Sequence, residues 1–498
     1  MLKKLFCLIM LGCSVQSFSQ VKQVARLELE ENDDESGNVS VMGDHGFIAH
    51  AWGDKSDGMQ AYHIVHYSPD LKVLHKQQVQ IPKRFSLQQD IVAPDYSKVI
   101  LLFTGPKDDF MVVTYLPDGK VSTSEGRLPV GIYIRHVVVL ENTLFIRGVL
   151  KRKHMLLKLD IRTGKYAELQ KLTDKTLSFY DMESMPENDL VIVPYTLGKK
   201  ITEERFFLSF LDENGEKKFD DFHVKADPGK YPLNGSITWL SADHFIIVGS
   251  FSNDADRLAS GIYLADVQKG KIKYIKYHLF AEMKNFFTYL SKNQQQRVEK
   301  KVERKSKKGK ENALDVLITS HPVFEHQGNY VYIGEVYYPT YRQEPYTTTG
   351  PNGTMVTSYR SVFDGYQYSH AVITAMSPSG EKLWDHCFSM WLFHKPYKPQ
   401  KNIRVLINGD EIQMLFSTGS SVSSAVVKGK EMSEKNYDRI EGMNEGDKTR
   451  WTGVTKTEYW YENYFLTYGW QKIKNTDEKG SKKRKVFFVS KLQFKEQE

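Results

Sequence analysis

Cysteine is nearly absent: the 498 residues hold three, Cys7, Cys13 and Cys387. The first two lie in an amino-terminal segment with the marks of an export leader. Lys3 and Lys4 form a positive start, Leu5 to Leu11 an apolar stretch, and Ser17-Phe18-Ser19 a small-residue cleavage site before Gln20. Cleavage there leaves Cys387 alone, so a disulfide-stapled fold is excluded and stability has to come from packing. Cys387 reads as a small buried apolar residue rather than a nucleophile. In the alternative reading, Leu11-Gly12-Cys13 is a lipidation site and Cys13 anchors the chain. Long apolar runs are missing as well. Nothing after the leader approaches the roughly 18 consecutive apolar residues a spanning helix needs. The expected location is the periplasm or the outside of the cell.

Enzyme signatures are also missing. The chain has no G-x-S-x-G elbow, no H-E-x-x-H and no G-x-x-x-x-G-K-[ST] loop. Asn32-Asp33-Asp34-Glu35-Ser36-Gly37-Asn38 clusters oxygen ligands without the twelve-residue calcium-loop pattern. His63 and His66 are three apart, as an extended strand would place on opposite faces. His370 and His386 read as core residues. No metal, no cofactor and no single acid/base pair is expected. The net charge of +7 does not make a nucleic-acid binder: residues 292–310 hold nine Lys/Arg and two Glu, enough to account for all of it.

What the sequence has in quantity is aromatic residues, 28 Tyr and 27 Phe, which suit pleated surfaces. It also has a repeat. An apolar strand runs into a turn rich in Asp, Gly, Asn or Pro, and a more polar strand follows. The turns occur at Ser68-Pro69-Asp70, Pro117-Asp118-Gly119, Asp160-Ile161-Arg162-Thr163-Gly164, Asp212-Glu213-Asn214-Gly215, Lys269-Gly270, Ser377-Pro378-Ser379-Gly380 and Lys428-Gly429. Gly and Asn accept positive φ there and Pro presets the bend. The spacing of about 45–55 residues is that of four-stranded propeller blades, with one gap of about twice that length. An eighth unit, with strands near 454–460, 464–470 and 486–494, ends one strand short. Val24–Glu30 alternates cleanly and supplies that strand. The expected fold is therefore an all-β propeller of eight blades (alternatively seven), closed by an amino-terminal strand and forming one domain over 20–498.

Two insertions, 281–312 and 339–366, fill the long gap. On blade geometry both project from one face near one blade. The first reads as a helix whose stripe starts at Met283, Phe286, Phe287 and Leu290. Its basic tail includes Lys300, Lys301, Arg304, Lys305, Lys307 and Lys308, which could meet an acidic partner or an anionic membrane surface. The second reads as a loop because of Pro345, Gly350, Pro351 and Gly353. It is crowded with tyrosines, and Tyr338, Tyr341, Arg342, Tyr346, Arg360, Asp364 and Tyr366 are its candidate ligand- or partner-binding residues. Tyr pairs a rigid apolar face with a hydroxyl, which suits glycan or peptide contacts.

Two cassettes carry a resemblance. Asp160 with Thr163-Gly164, and Gly380-Glu381-Lys382-Leu383-Trp384, each resemble part of the Asp, Thr-Gly, Trp repeat of quinoprotein-like propellers. Regular Trp-Asp ends, kelch glycine pairs and the sialidase box are absent. The resemblance is to exported propellers of the quinoprotein-like and WD40-like kind, and it implies a ring that holds partners rather than a catalyst. The function expected from the sequence is a non-enzymatic binding or scaffold propeller of the bacterial cell envelope, engaging a protein or glycan partner through one loop face. The alternative is a glycan- or peptide-directed hydrolase with its site at the ring mouth.

Overall fold

The computed structural model describes residues 20–30, 37–169, 177–179, 181–198, 203, 205–241, 243–253, 257–306, 314–349, 352–475 and 483–495. The leader, the lipidation alternative at Cys13 and the acidic turn from Asn32 to Ser36 lie outside these residues. So do Lys307, Lys308, Gly350 and Pro351.

Among the described residues the strands form eight antiparallel sheets of four or five strands, following one another along the chain. Sheet 1 spans residues 38–82, sheet 2 86–127, sheet 3 133–168 and sheet 4 177–224. Sheet 5 spans 231–279, sheet 6 317–389, sheet 7 404–439 and sheet 8 447–494. The architecture is all-β and of the propeller type. Each of the seven sequence turns joins the third strand of its sheet to the fourth.

The turn residues act as their types suggest. Asp160 Oδ1 accepts the backbone N–H groups of Arg162 (2.8 Å) and Thr163 (2.9 Å), and Asp212 Oδ1 accepts those of Asn214 and Glu216. Gly164 has a further reason to lack a side chain. Its φ is +66°, and a Cβ would lie 2.3 Å from the carbonyl oxygen of Glu125 in the preceding sheet.

Packing follows from the alternation. Each strand turns one apolar row to either neighbouring sheet, so the core is divided into clusters between sheets. Sheets 1 and 2 share Ile48, Ile64, Leu101 and Val113; sheets 2 and 3 share Ile100, Val112, Ile146 and Leu157. Similar clusters join sheets 3 to 4, 4 to 5, 5 to 6 and 6 to 7. Sheet 8 packs on sheet 7 through Leu415, Val422, Phe465 and Phe488. It also packs on sheet 1 through Phe47, Val65, Trp460 and Phe487. The first strands of neighbouring sheets approach one another.

Val21–Glu30 is the outer strand of sheet 8. It runs antiparallel to Lys483–Phe494, with Val21 opposite Phe494 and Glu30 opposite Val486. Arg484 fastens the junction. Its guanidinium bonds Glu28 of the amino-terminal strand at 2.9 Å and Asp447 of the inner strand at 2.5 Å. Arg26 adds bonds to Glu28 (2.7 Å) and Gln471 (2.9 Å).

The first insertion differs from the sequence expectation. Met283 and Phe286 are buried between sheets 5 and 6, but in turns, and the helix starts only at Lys292 and ends at Ser306. Two interactions place this boundary. Asp385 accepts the N–H groups of Lys284 (3.2 Å) and Asn285 (2.7 Å), holding the turn against sheet 6. Gln294 then caps the helix start, its Oε1 accepting both the Ser291 N–H (3.0 Å) and the Ser291 hydroxyl (2.9 Å). The insertion is thus half core and half appendage. Phe286→Ala is expected to cost about 3–5 kcal/mol, as for other buried aromatics. Excising 292–306 is expected to change stability by about 0.5 kcal/mol or less, because exposed polar surface carries little packing. Urea titration of the two variants checks both.

Cys387 is buried. Burial pushes its thiol up to about 11, which removes the thiolate needed of a nucleophile. His50 is also buried, between Ser40 Oγ (3.1 Å) and the Tyr62 hydroxyl (2.7 Å), and burial lowers it to about 4. His370 stacks on Tyr289 with ring centroids 4.0 Å apart and is lowered by burial to about 3.

Candidate functional site

The second insertion is not a loop. Asn329–Thr349 and Met355–Met376 form one long hairpin, and among the described residues no third strand pairs with it beyond Tyr337 and Tyr368, though the Tyr366 N–H donates to the Pro396 carbonyl at 2.8 Å. The arm reaches from Tyr338 opposite Gln367 to Thr349 opposite Met355. Its Tyr, Thr and Val content favours extended backbone. Pro345 does not break it, because in a two-stranded ribbon half of the N–H groups of each strand have no ladder partner to lose.

Period two sorts the side chains. Tyr341 packs on Phe363 (6.0 Å between centroids), Phe363 on Tyr366 (5.0 Å) and Tyr366 on Tyr337 (5.1 Å). This aromatic row ends on buried Tyr368, 5.4 Å from Tyr337. Tyr397, on the link between sheets 6 and 7, meets Phe363 from outside at 5.9 Å. A charged network runs beside the row. Glu344 takes Arg342 (2.6 Å) and Arg360 (3.2 Å) on separate oxygens, and Asp364 pairs with Lys395 at 2.8 Å. Hydrogen bonds from the two arginines hold the Glu344 carboxyl below its usual range. Arg342 and Arg360 therefore meet on Glu344, Asp364 lies 3.9 Å from Arg342, and Tyr341 and Tyr366 are joined through Phe363. Tyr346 stands farther out, opposite Ser358. The row is bare at its outer end and half-buried at Phe363, Tyr366 and Tyr337: Tyr341 is 61% exposed, and Tyr359 on the arm and Tyr397 on the link are 68% and 65% exposed.

Tyr338 belongs to a different feature. A groove of about 770 Å³ lies between the first insertion and the base of the arm. Tyr289, Leu290 and Gln294 line it from one side, Tyr338 and Pro339 from the other, with Trp391 and Tyr437 nearby. The two insertions thus share one groove. Lys300 and Arg304 are exposed on the helix that starts at its rim; Lys301 and Lys305 lie on the same helix.

A third feature was not anticipated from the sequence. A cavity of about 440 Å³ lies where the first strands of sheets 3 to 6 converge. Sheet 3 contributes Arg135, His136 and Arg147; sheet 4 and the residues before it contribute Asp181 and Glu183. Ser236, Ser320 and His321 come from sheets 5 and 6, and Lys398 and Lys401 from the link to sheet 7. Tyr337, at the foot of the arm, also lines it. Arg147 pairs with Asp181 at 3.3 Å. Met182 N–H donates to His136 Nδ1 at 3.2 Å, which leaves the ring proton on Nε2. Burial lowers His136 and raises the Glu183 carboxyl, whose Oε2 accepts the Ser236 hydroxyl at 3.1 Å. These residues come from seven separate stretches of chain and form no motif, so no local signal could have found them. Behind the cavity wall, fully buried Glu335 takes His321 Nε2 (2.8 Å) and the N–H groups of Asn402 and Ile403 (both 2.8 Å).

No family model matches the chain, and no curated protein matches it. Solved structures do resemble it at low identity, and they include β-propellers. BamB from Moraxella catarrhalis is 10% identical with a TM-score of 0.41, covering 95% of this chain and all of its own. The dihydro-heme d1 dehydrogenase NirN is 12% identical at 0.45, covering 95% of this chain and 80% of its own. The WD40 domain of SCAP from fission yeast is 6% identical at 0.41, covering 95% and 98%. Likeness at this level concerns the fold and assigns no activity. Among the described residues no helix is long and apolar enough to cross a membrane.

Proposed function

We propose that the eight sheets close into a single eight-bladed propeller that serves as a non-enzymatic binding or scaffold protein of the cell envelope. Supporting closure are the outer-strand position of Val21–Glu30 and the packing of sheet 8 on both sheet 7 and sheet 1. Export rests on the leader. The observation that carries the binding role is the projecting arm. A two-stranded ribbon bearing exposed tyrosines contributes little to its own sheet, and exposed aromatic rows mark recognition surfaces. The partner is a protein or glycan taken along Tyr341, Tyr346, Tyr366 and the Arg342–Glu344–Arg360 network, with Tyr338 and the groove extending the surface. The basic 292–310 segment supplies a contact for an anionic surface at the rim.

Replacing 340–364 by a tight turn tests this. The shortened chain is expected to keep its thermal transition and lose capture of envelope proteins or glycans in a pull-down. Undiminished capture would rule the arm out as the binding element.

One observation favours a second reading, a hydrolase acting on glycans or peptides. Asp181, Glu183 and His136 line one cavity, and burial shifts Glu183 in the direction a general acid requires. Hydrolysis of a screened substrate that Glu183→Gln abolishes would establish it.

A further inference from the structure

The cavity between sheets 3 and 6 has more positive charge than its walls neutralise. Arg147 is matched by Asp181 at 3.3 Å. Arg135, Lys398 and Lys401 have no carboxylate within ion-pair distance among the described residues. Glu183 is the other acid on the wall, and its burial favours the neutral carboxylic acid, which cancels little of that charge. The cations also act on one another. Arg147 is lowered by burial and then further by Arg135. His136 is lowered by burial, and Arg147 and Lys401 add to that shift against the pull of Asp181.

Their arrangement forms a funnel. Arg135 and Lys398 are exposed at the mouth, where the Arg135 guanidinium (4.3 Å) and the Lys398 ammonium (5.6 Å) both lie over the Tyr133 ring. Lys401 and Arg147 are half-buried deeper in. A cleft with an excess of one sign of charge on low-dielectric walls focuses its field on whatever enters, and the volume of this one lies within the range of small-molecule sites.

We infer that this cavity binds a small ligand bearing more than one negative charge, held between Lys401 inside and Arg135 and Lys398 at the mouth. Carboxylate and phosphate groups share the chemistry that these side chains recognise. The inference rests on the cavity alone and is independent of the arm and its partner.

Isothermal titration of the whole chain with citrate, inorganic pyrophosphate and, as an uncharged control, glucose tests it. At least one anion is expected to bind, more weakly at high salt, while glucose does not. Citrate alone would identify carboxylate recognition and pyrophosphate alone phosphate recognition; binding of both would mean recognition by charge. Lys401→Ala should weaken binding by about tenfold or more, the usual effect of losing a charge-assisted hydrogen bond. Arg135→Ser with Lys398→Ser should do the same. That double variant changes only exposed side chains, so it keeps the test valid if Lys401→Ala unfolds. The arm-shortened chain should bind the anion normally. No binding by either anion, or binding that the double variant leaves unchanged, overturns the inference.

Discussion

A chain lacking residues 20–30 is expected to show no cooperative unfolding transition and to associate. The deletion does more than trim a terminus. It strips the outer strand from sheet 8 and removes buried Val21 and Leu29 from two separate clusters, one against sheet 7 and one against sheet 1. It also breaks the Arg484–Glu28 ion pair and leaves Asp447 as the one remaining acid on that arginine among the described residues. The bare edge left behind carries Val486, Phe488 and Leu492 in a strand of twelve residues, a ready template for pairing with another copy. Typical domains are stable by only about 5–15 kcal/mol, and losing a whole strand with its ladder and two buried anchors uses up that margin. Sedimentation and urea titration would report the outcome. A soluble monomer with a wild-type transition would mean that sheet 8 holds without its outer strand. Arg484→Ala is the milder version and should lower the midpoint without abolishing the transition.

Glu335→Ala is expected to destabilise the protein by about 3–5 kcal/mol, the range seen when one member of a buried charged network is removed. Its carboxylate has no solvent contact and accepts from His321 Nε2, from the Asn402 side chain at 2.9 Å, and from the N–H groups of Asn402 and Ile403. Without it, the N–H groups of buried Ile403 and half-buried Asn402, at the entry to sheet 7, lose their acceptor. Glu335→Gln should cost less, since the amide oxygen can still accept one of these bonds. The pH dependence has a definite sign. Burial alone would raise the Glu335 carboxyl, but the hydrogen bonds from His321, Ile403 and Asn402 outweigh it and hold the group below its ordinary value. A folded-state value below the unfolded one stabilises above the unfolded pKa of about 4.3, and that contribution disappears as pH falls through the lower folded value. The gap between wild type and Glu335→Gln should therefore be widest at neutral pH and close in acid. A gap that widened in acid would mean the carboxyl is protonated in the fold.

Acid should weaken the wild type for a second reason. His50 and His370 are held neutral by burial, at about 4 and about 3. Unfolded histidines take up protons near 6.5, so stability falls as pH drops from there toward the folded values.

The sheets were legible in the sequence because their turns are local chemistry. Asp160 with Gly164 or Asp212 with Gly215 builds its bend from bonds within a few residues, and the strands on either side alternate. The amino-terminal strand was legible for a different reason: the last unit lacked a strand, and Val24–Glu30 had the right alternation. The arm was misread because Pro345 and Gly353 normally mark loops. Gly353 sits in the turn at the tip of the arm, while Pro345 is tolerated on an isolated ribbon where a strand's outward edge needs no N–H, and the sequence does not mark which edge faces outward. The helix in the first insertion was placed too early because Met283 and Phe286 fit a helical stripe, whereas Asp385, about a hundred residues later in the chain, draws that stretch into a turn. The charged cavity was invisible. Arg135, Glu183, Ser236 and Lys401 become neighbours only when four sheets and a link converge.

The pairing of Val21 with Phe494 also bears on the order of synthesis. Residues 21–30 have to wait for residues 483–494, so sheet 8 cannot be completed until that distant stretch has been synthesised. Contacts between such distant residues carry the greatest loop-closure entropy and form slowly. The late step in refolding should therefore be the docking of the two termini, and a circular permutant that joins them through a short linker and opens the chain elsewhere should refold faster.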